Sequence, residues 1–291
     1  MSSTVNINLL DVQDKAKKQS QWFFKLAMTC LLFVLGVITI IPFIYMLSSS
    51  FKVEIDIYKY PVEWIPKVIK NNYHQVWFGN YNFARYYLNS LFVSACCIVG
   101  LLVTSSLAAY GFSRMEFKFR DGLFLLYLST MMIPPQVTIV PRFILYKFMG
   151  IYDTHLALIL PGIFTAFGTF LMRQFMVALP KELNESAKID GAGEFKTWFH
   201  IVAPLTKPAM MTLALIAMVW SWNDYENALI FLKTTSLYTI PVGLISFMDE
   251  TGKMYSLITA AAVSATVPLV LLFLAGQRYF IEGLTAGGVK G

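Results

Sequence analysis

The sequence predicts an all-α integral membrane protein with six transmembrane helices. Of its 291 residues, 57% are hydrophobic and only 14% are charged, a composition typical of a chain surrounded by lipid. The apolar residues form six continuous runs, each close to the roughly 20 residues that a helix needs to cross a bilayer core of about 30 Å. Strands of a membrane barrel would instead alternate polar and apolar residues over about ten positions.

Each of the six runs is predicted to be one span. The spans are residues 26–47, 86–112, 122–140, 155–172, 205–222 and 256–277. The first run exceeds the apolar core of a secretory signal and no small-residue cleavage site follows it, so we expect it to be retained. Pro134 and Pro135 lie within the third run, where proline removes backbone donors and predicts a break. We interpret this break as a structural kink, with a role in lining a transport pathway as the alternative.

The positive charge of the chain is interpreted as a signal of membrane orientation. The formal net charge is +6, but the basic residues are spread between apolar blocks, unlike the clustered charge that binds nucleic acid. With the N-terminus inside, most of the 23 basic residues fall in inner segments, and the long first outer loop carries less weight. Both termini are therefore predicted to be cytoplasmic. The inner residues are Lys15, Lys17, Lys18, Lys25, Arg114, Lys118, Arg120, Arg173, Lys181, Lys188, Lys196, Lys207, Arg278 and Lys290.

Several kinds of chemistry find no support in the sequence. The three cysteines lie within apolar runs and are interpreted as packing residues, and the three histidines are far apart without a metal-binding spacing. No phosphate-binding G-x-x-x-x-G-K-[ST] loop is present, since the nearest run, 283–290, has a valine before its lysine. No charged residue lies in the middle of a predicted span, although ion-coupled carriers usually keep such groups. We predict no catalytic, metal or cofactor site on this chain, so the energy for transport must come from another protein.

A polar segment between the fourth and fifth spans, residues 179–208, predicts two short helices around a turn. Pro180 suits a first helical position, and Glu182 in the first turn complements the positive end of the helix dipole. The second helix is predicted over residues 194–202, ending before Pro204. The segment is too polar to cross a membrane, so it is predicted to be a cytoplasmic loop.

The turn between these two helices depends on a glycine. Gly191 supplies backbone freedom for a reversal that a residue with a Cβ would resist. Asp190 is predicted to cap the second helix with its carboxylate. Glu185 and Lys188 have the spacing of an ion pair on the first helix.

The same segment resembles the signature loop of binding-protein-dependent ABC importers. Their pattern is E-A-A, two residues, D-G-A, eight residues, then I-x-x-P-L. Serine replaces the first alanine of the pattern here, and both residues are small. The matching positions, which the resemblance makes the coupling site for an ATPase, are Glu185, Ser186, Ala187, Asp190, Gly191, Ala192, Ile201 and Pro204.

The resemblance extends over essentially the whole chain and is greatest to the six-helix membrane subunit of maltose-type oligosaccharide importers. It is supported by the run W-S-W-N-D-Y at 220–225 and by the glycine-rich tail 283–291. It implies a type I ABC importer transmembrane domain in a bacterial plasma membrane. It also implies a second permease subunit, a cytoplasmic ATPase dimer that binds ATP and Mg, and an extracellular or periplasmic solute-binding protein that delivers a sugar.

The predicted organisation has three parts. They are a cytoplasmic segment 1–25, a transmembrane domain 26–282 containing the coupling loop 179–208, and a cytoplasmic tail 283–291. Composition alone makes the tail a frayed terminus, whereas the resemblance implies a second element that contacts the ATPase.

Two groups of residues are considered for sugar contacts. Aromatic residues are frequent in the first outer loop, where an interfacial belt or loop packing is the simpler interpretation and sugar stacking is the alternative. After the fifth span, an asparagine lies near the membrane boundary, where its amide needs a hydrogen-bond partner. A passing sugar hydroxyl can be that partner, and aromatic residues lie next to the asparagine in the sequence. In the resembled systems the partner subunit supplies most sugar contacts. The candidate pathway residues are Trp220, Trp222, Asn223 and Tyr225.

Three alternatives to an oligosaccharide importer are considered. The sequence does not distinguish a glycerol-phosphate importer of the same family from an oligosaccharide importer. An ion-coupled secondary carrier would need ionisable groups within the membrane, which the predicted spans lack. A membrane enzyme would need convergent acid, base or metal-binding residues, and no spacing in the sequence assembles them.

Overall fold

The computed structural model describes the backbone of residues 2–249 and 252–288, and the side chains of residues 21–245, 247–248 and 254–278. The chain divides into two compact units, Met1–Lys70 and Asn71–Gly291. The α-helices are α1 (Ser2–Ser49), α2 (Glu54–Ile57), α3 (Asn72–Phe78), α4 (Phe83–Arg114), α5 (Arg120–Ser129), α6 (Pro135–Phe148), α7 (Leu156–Gly162), α8 (Ala166–Ala178), α9 (Glu182–Ile189), α10 (Glu194–Thr197), α11 (Ala203–Leu205), α12 (Lys207–Trp222), α13 (Tyr225–Phe231), α14 (Ile240–Gly243) and α15 (Tyr255–Gly288).

Short elements complete the fold. The two strands, β1 (Met248–Asp249) and β2 (Gly252–Lys253), pair in antiparallel orientation. Because α15 continues to Gly288, the first residues of the predicted tail are helical, while residues 289–291 lie outside the described part. The 3₁₀ turns are Thr130–Met132, Thr235–Leu237 and Leu244–Phe247, and a π turn covers Trp198–Val202.

The helices account for the six predicted spans. Four stretches in the described part of the chain are long and apolar enough to cross a membrane, and two bent helix pairs bring the number to six when each pair is one span. One pair joins α5 to α6 at 95° and the other joins the helical segment 194–205 to α12 at 79°. The four stretches are Gln21–Ser49, Phe83–Arg114, Leu156–Ala178 and Tyr255–Arg278.

The break in the third span lies where the prolines predicted it. The 3₁₀ turn that follows α5 ends at Met132, and α6 begins at Pro135, a position where a missing N–H costs nothing. The second arm of the span then runs to Phe148, well beyond the predicted end at residue 140. This extension matters because it brings Arg142 into the broken span.

The N-terminal unit is built on the long helix α1. The apolar side chains of its Gln21–Ser49 part face outward, as a lipid-facing span requires. The segment after α1 folds back on the end of the helix. The buried amine of Lys52 donates to the carbonyl of Glu63 and lies 4.8 Å from the ring centre of Tyr45, which also packs edge-on against Trp64 at 5.9 Å.

The second unit is organised around α4, which packs against both α8 and α12. Small residues permit the closest approach. Gly168 of α8 lies directly against Ser105 and Leu101 of α4, so an added Cβ would overlap the serine hydroxyl. Such small-residue contacts are how membrane helices pack in the absence of a hydrophobic driving force. The arrangement makes α4 the central helix of this unit.

The later aromatic residues of the first outer loop belong to the core. Phe83 is fully buried, and its ring packs 5.3 Å from that of Trp77. The Trp77 indole N–H donates to Ser264 Oγ at 3.2 Å, and the ring of Tyr81 lies 4.6 Å from that of Phe247. Loop packing, the simpler of the two interpretations, describes these residues.

A carboxylate clamp connects two loops of the second unit. Asp153 adopts a left-handed φ of 58°, and its N–H donates to the carbonyl of Phe231 at 3.0 Å. Its carboxylate accepts hydrogen bonds from the N–H of Lys233 at 2.7 Å and from the N–H and hydroxyl of Thr234 at 2.9 and 2.6 Å. The hydroxyl and N–H of Thr234 hold the pKa of Asp153 below its usual value.

We predict that Asp153→Ala lowers the thermal unfolding temperature of the detergent-solubilised protein by a few degrees at pH 7. Because the pKa of Asp153 is lowered by folding, the stabilisation from the clamp is complete above the unfolded pKa of about 3.9 and is lost as pH falls through the folded pKa. The difference between wild type and variant should therefore shrink below about pH 4. The exposed Glu116→Ala serves as control, and equal unfolding temperatures of wild type and Asp153→Ala at pH 7 would contradict the clamp.

Candidate functional site

The loop between the fourth and fifth spans contains the two predicted helices. The first is α9, and its first turn carries Glu182, as expected for a helix N-terminus. The second begins at Glu194 and does not end before Pro204, contrary to the prediction. The chain passes through a π turn at Trp198–Val202 and continues helically, because Pro204 then occupies the first turn of α11, where its lack of an N–H is tolerated.

The reversal between the helices depends on Gly191, as predicted. Gly191 has a φ of +74°, and nothing lies within 4 Å of the position that a Cβ would occupy, so only the backbone conformation requires glycine there. The N–H of Gly191 donates to the carbonyl of Lys188 at 3.1 Å, and that of Ala192 donates to the carbonyl of Ala187 at 2.9 Å. These bonds satisfy carbonyls at the end of α9.

Two predicted side-chain roles in this loop are wrong. Asp190 does not cap the second helix, because it ends α9 and the turn places Gly193 at the start of α10, without a side-chain cap. Lys188 pairs with Glu194 at 3.1 Å, not with Glu185, because the reversal brings the start of the second helix beside the end of the first.

The signature positions divide between a buried side and an exposed side. Ala187 is buried, whereas Glu185, Ser186, Asp190 and Gly191 are exposed. Ala192 and Ile201 are half-buried, and Pro204 is exposed. Large apolar side chains are also exposed on this loop, among them Ile189 at 86%, with Phe195 and Phe199. Exposed apolar residues bordered by charge are typical of a protein-interaction surface.

A second feature is a cavity of about 700 Å³ within the second unit. Ile133 and Pro135, at the break of the third span, line it, and so do Phe164 and Thr165, between α7 and α8. Non-helical backbone at membrane depth is tolerated where it lines a cavity. The proline break, which we interpreted as a structural kink, therefore lines this cavity.

One wall of the cavity carries a polar network. Arg142 Nη2 donates to Asn227 Oδ1 at 3.0 Å, and Asn227 Nδ2 donates to the two carboxylate oxygens of Asp224 at 3.0 and 3.1 Å. Asp224 also caps α13 by accepting the N–H of Asn227. Burial raises the pKa of Asp224, an effect that the hydrogen bonds from Asn227 oppose. The wall thus offers both donors and acceptors.

The candidate pathway residues are in different environments. Trp220 lines the cavity, is 49% exposed, and packs edge-on against Phe167 at 5.3 Å. Trp222 is buried and donates its indole N–H to the carbonyl of Ala265, as a packing residue does. Asn223 bonds back to the carbonyl of Val219 on its own helix, and neither it nor Tyr225 is among the residues that line the cavity.

Three cavity residues were not recognised in the sequence. The predicted third span ended at residue 140, which left Arg142 outside the membrane. Asp224 and Asn227 lie four and seven positions after Trp220, but α12 ends at Trp222 and α13 begins at Tyr225, so helical spacing gave no signal for them. The sequence expectation that charge is absent from the spans holds for their predicted centres but not for the cavity wall.

Six apolar spans, an exposed helical loop and a cavity between broken spans define a membrane transport subunit. The chain belongs to the family of binding-protein-dependent transport system inner membrane components, whose pattern matches residues 98–285. It is therefore a multi-pass permease subunit of an ABC importer.

Relatives and a solved structure agree with this assignment. The arabinooligosaccharides transport system permease protein AraQ of Bacillus subtilis is 33% identical over 92% of this chain and 96% of its own length. The melibiose/raffinose/stachyose import permease protein MelC of the same organism is 37% identical over 86% of this chain and 91% of its own. A chain of a bacterial ABC transporter that imports alginate has the same fold, with a TM-score of 0.80, 24% identity, and coverage of 90% of this chain and 98% of that chain.

We predict that Gly191→Val impairs transport by a properly inserted importer. Valine at a positive φ is strained by about 1 to 2 kcal/mol, so the turn should shift and misplace the helices on either side. The measurement is substrate uptake by cells that produce the complete importer, normalised to the amount of this subunit in the membrane.

Gly193→Val is the matched control for this test. Gly193 has a φ of −70° and equally open surroundings, so valine fits there without strain. Normal uptake by both variants would show that transport does not depend on the Gly191 turn.

Proposed function

We propose that this chain forms half of the translocation pathway of an ATP-driven oligosaccharide importer. In this proposal the loop 179–208 couples the pathway to a cytoplasmic ATPase dimer, which binds the ATP and Mg²⁺. The observation that carries the proposal is the cavity of about 700 Å³ with Trp220 on its wall beside the Arg142–Asn227–Asp224 network.

The chemistry of the cavity suits a sugar. A sugar has apolar ring faces that stack on aromatic side chains, and hydroxyls that both donate and accept hydrogen bonds. Trp220 offers a half-exposed ring, while Arg142 supplies donors and Asp224 supplies acceptors. The volume lies within the range of about 300 to 1,000 Å³ that is usual for small-molecule sites. The relatives AraQ and MelC are named for oligosaccharides, which supports the same substrate class here.

The partners in this proposal are those of a binding-protein-dependent ABC importer, the family to which the chain belongs. A second permease subunit completes the pathway, and an extracellular or periplasmic solute-binding protein delivers the sugar. One chain of a solved alginate importer complex has the fold of this chain, with a TM-score of 0.60. That complex also contains a pentasaccharide-bound periplasmic protein. The exposed apolar residues Ile189, Phe195 and Phe199 provide the surface that contacts the ATPase.

The substrate is tested with the complete importer in proteoliposomes. ATP hydrolysis is measured while the solute-binding protein is offered pentose, galactose and glucose oligosaccharides or glycerol 3-phosphate. An oligosaccharide should stimulate hydrolysis and be transported, whereas stimulation by glycerol phosphate alone would replace the proposal with the glycerol-phosphate alternative. Transport by this chain alone without ATP would overturn the importer mechanism.

We predict that Trp220→Ala lowers the maximal rate of sugar uptake about two- to tenfold, the factor expected for loss of one aromatic contact. Trp220→Tyr, which keeps an aromatic ring, should restore most of the rate. Tyr225→Ala is the control, since it removes an exposed aromatic side chain outside the cavity lining. Equal rates for wild type and Trp220→Ala would remove Trp220 from the pathway.

The orientation in a bacterial plasma membrane is also part of the proposal, with both termini and the loop 179–208 in the cytoplasm. In a cysteine-free background, Ile65→Cys should react with an impermeant thiol reagent added outside. Ile189→Cys should react only after the membrane is permeabilised. Both side chains are more than four-fifths exposed, so each cysteine is accessible to the reagent. The reverse labelling pattern would invert the topology.

A further inference from the structure

We infer that a stripe of three side chains on α4, Ser106, Tyr110 and Arg114, fixes the coupling loop to the cavity wall and determines how much sugar moves per ATP hydrolysed. The inference rests on the proposed coupling role of the loop 179–208. The three residues lie at intervals of four, so they follow one side of the helix towards its cytoplasmic end in the proposed orientation. We call them the coupling stripe.

Tyr110 is the centre of the stripe. Its hydroxyl donates to Glu194 Oε2 at 2.6 Å and accepts from Asn184 Nδ2 at 3.1 Å. Asn184 belongs to α9 and Glu194 begins α10, so a single hydroxyl connects both coupling helices to α4. Tyr110 is only 4% exposed, and buried hydrogen bonds of this kind are costly to break.

The carboxylate of Glu194 extends this connection. Its Oε2 accepts from Tyr110, while its Oε1 pairs with Lys188 Nζ at 3.1 Å. Lys188 is in the last turn of α9, so Glu194 holds the two coupling helices to each other as well as to α4. The loop is therefore fixed as one body.

The other two stripe residues hold the rest of the loop. The indole N–H of Trp198 donates to Ser106 Oγ at 2.8 Å, which attaches the second coupling helix one turn deeper along α4. The Arg114 guanidinium donates to the carbonyls of Leu179 at 2.8 Å, Pro180 at 3.2 Å and Met176. Those carbonyls end α8 and begin the loop, and the carbonyl of Met176 also accepts the N–H of Leu179 at 3.2 Å.

The helix that carries the stripe also carries the cavity wall. Val93, Cys97 and Leu101 of α4 line the cavity, and Leu101 lies about 14 Å along the helix axis from Tyr110. The stripe gives the loop direct hydrogen bonds to α4, in addition to the packing of α8 and α12 on the same helix. If the stripe is loosened, the loop can move with the ATPase while the cavity wall stays behind, so hydrolysis continues without proportional transport.

The test is Tyr110→Phe in the complete importer, reconstituted with its partner permease, ATPase and solute-binding protein. The quantity measured is the number of sugar molecules transported per ATP hydrolysed. We expect this ratio to fall by at least about threefold, because the variant loses both hydrogen bonds of the Tyr110 hydroxyl, while complex assembly is unchanged. A folding defect would reduce both rates in proportion and leave the ratio constant, so the ratio separates positioning from stability.

Two further variants complete the design. Tyr146→Phe is the matched control, since Tyr146 is equally buried, lies on α6, and is not near the loop in sequence or in its ring contacts. It should leave the ratio unchanged. Ser106→Ala removes the acceptor for Trp198 and should lower the ratio even if Tyr110→Phe fails to assemble.

The outcomes separate this inference from the proposed function. If Gly191→Val impairs transport but Tyr110→Phe and Ser106→Ala keep the wild-type ratio, the coupling stripe is wrong and the loop retains its role. If Gly191→Val also leaves stimulated hydrolysis and transport unchanged, the coupling role of the loop and the coupling stripe are both wrong. A lowered ratio in Tyr110→Phe with a normal ratio in Tyr146→Phe supports the stripe.

Discussion

The structure depends on one constraint, that backbone N–H and C=O groups in hydrocarbon have no water to bond and must find partners within the protein. Helices meet this demand residue by residue, which is why apolar segments of this chain are helical. Several hydroxyl side chains in the helices obey the same constraint. Thr212, Ser221 and Thr266 each donate to the carbonyl four residues earlier in their own helices.

The same constraint decides where the helices are allowed to break. Residues 133–134 and 163–165 leave the helical conformation, and members of both segments line the cavity. Irregular backbone is tolerated there because it faces a cavity and not lipid. Polar side chains collect in the same place, where hydrogen bonds connect Arg142 to Asn227 and Asn227 to Asp224. The polar cavity wall and the irregular backbone thus lie together because hydrocarbon tolerates neither polar side chains nor unpaired backbone groups.

Local features of this fold were predictable from the sequence, and features that depend on angles between elements were not. Apolar runs located all six spans, and proline and glycine located the break at residues 133–134 and the positive φ of Gly191.

The arm of the third span that carries Arg142 was missed because a 95° bend, not hydropathy, determines where that arm goes. Lys188 pairs with Glu194 for a similar reason, since the turn between two helices sets their distance. Trp220 faces the cavity and Trp222 the core because packing fixes the rotation of α12, which a nearly uniform apolar sequence leaves open.

The walls of the cavity differ in stiffness. Helix α4 runs without proline or interruption through 32 residues, so its path of about 25 Å from Val93 to Tyr110 contains no hinge. The opposite walls come from spans that are bent by 95° and 79° or interrupted at residues 163–165. An unbroken helix moves as one body, so a displacement at the Tyr110 end of α4 is expected to carry Val93, Cys97 and Leu101 with it, while the bends are the places where the other walls can give.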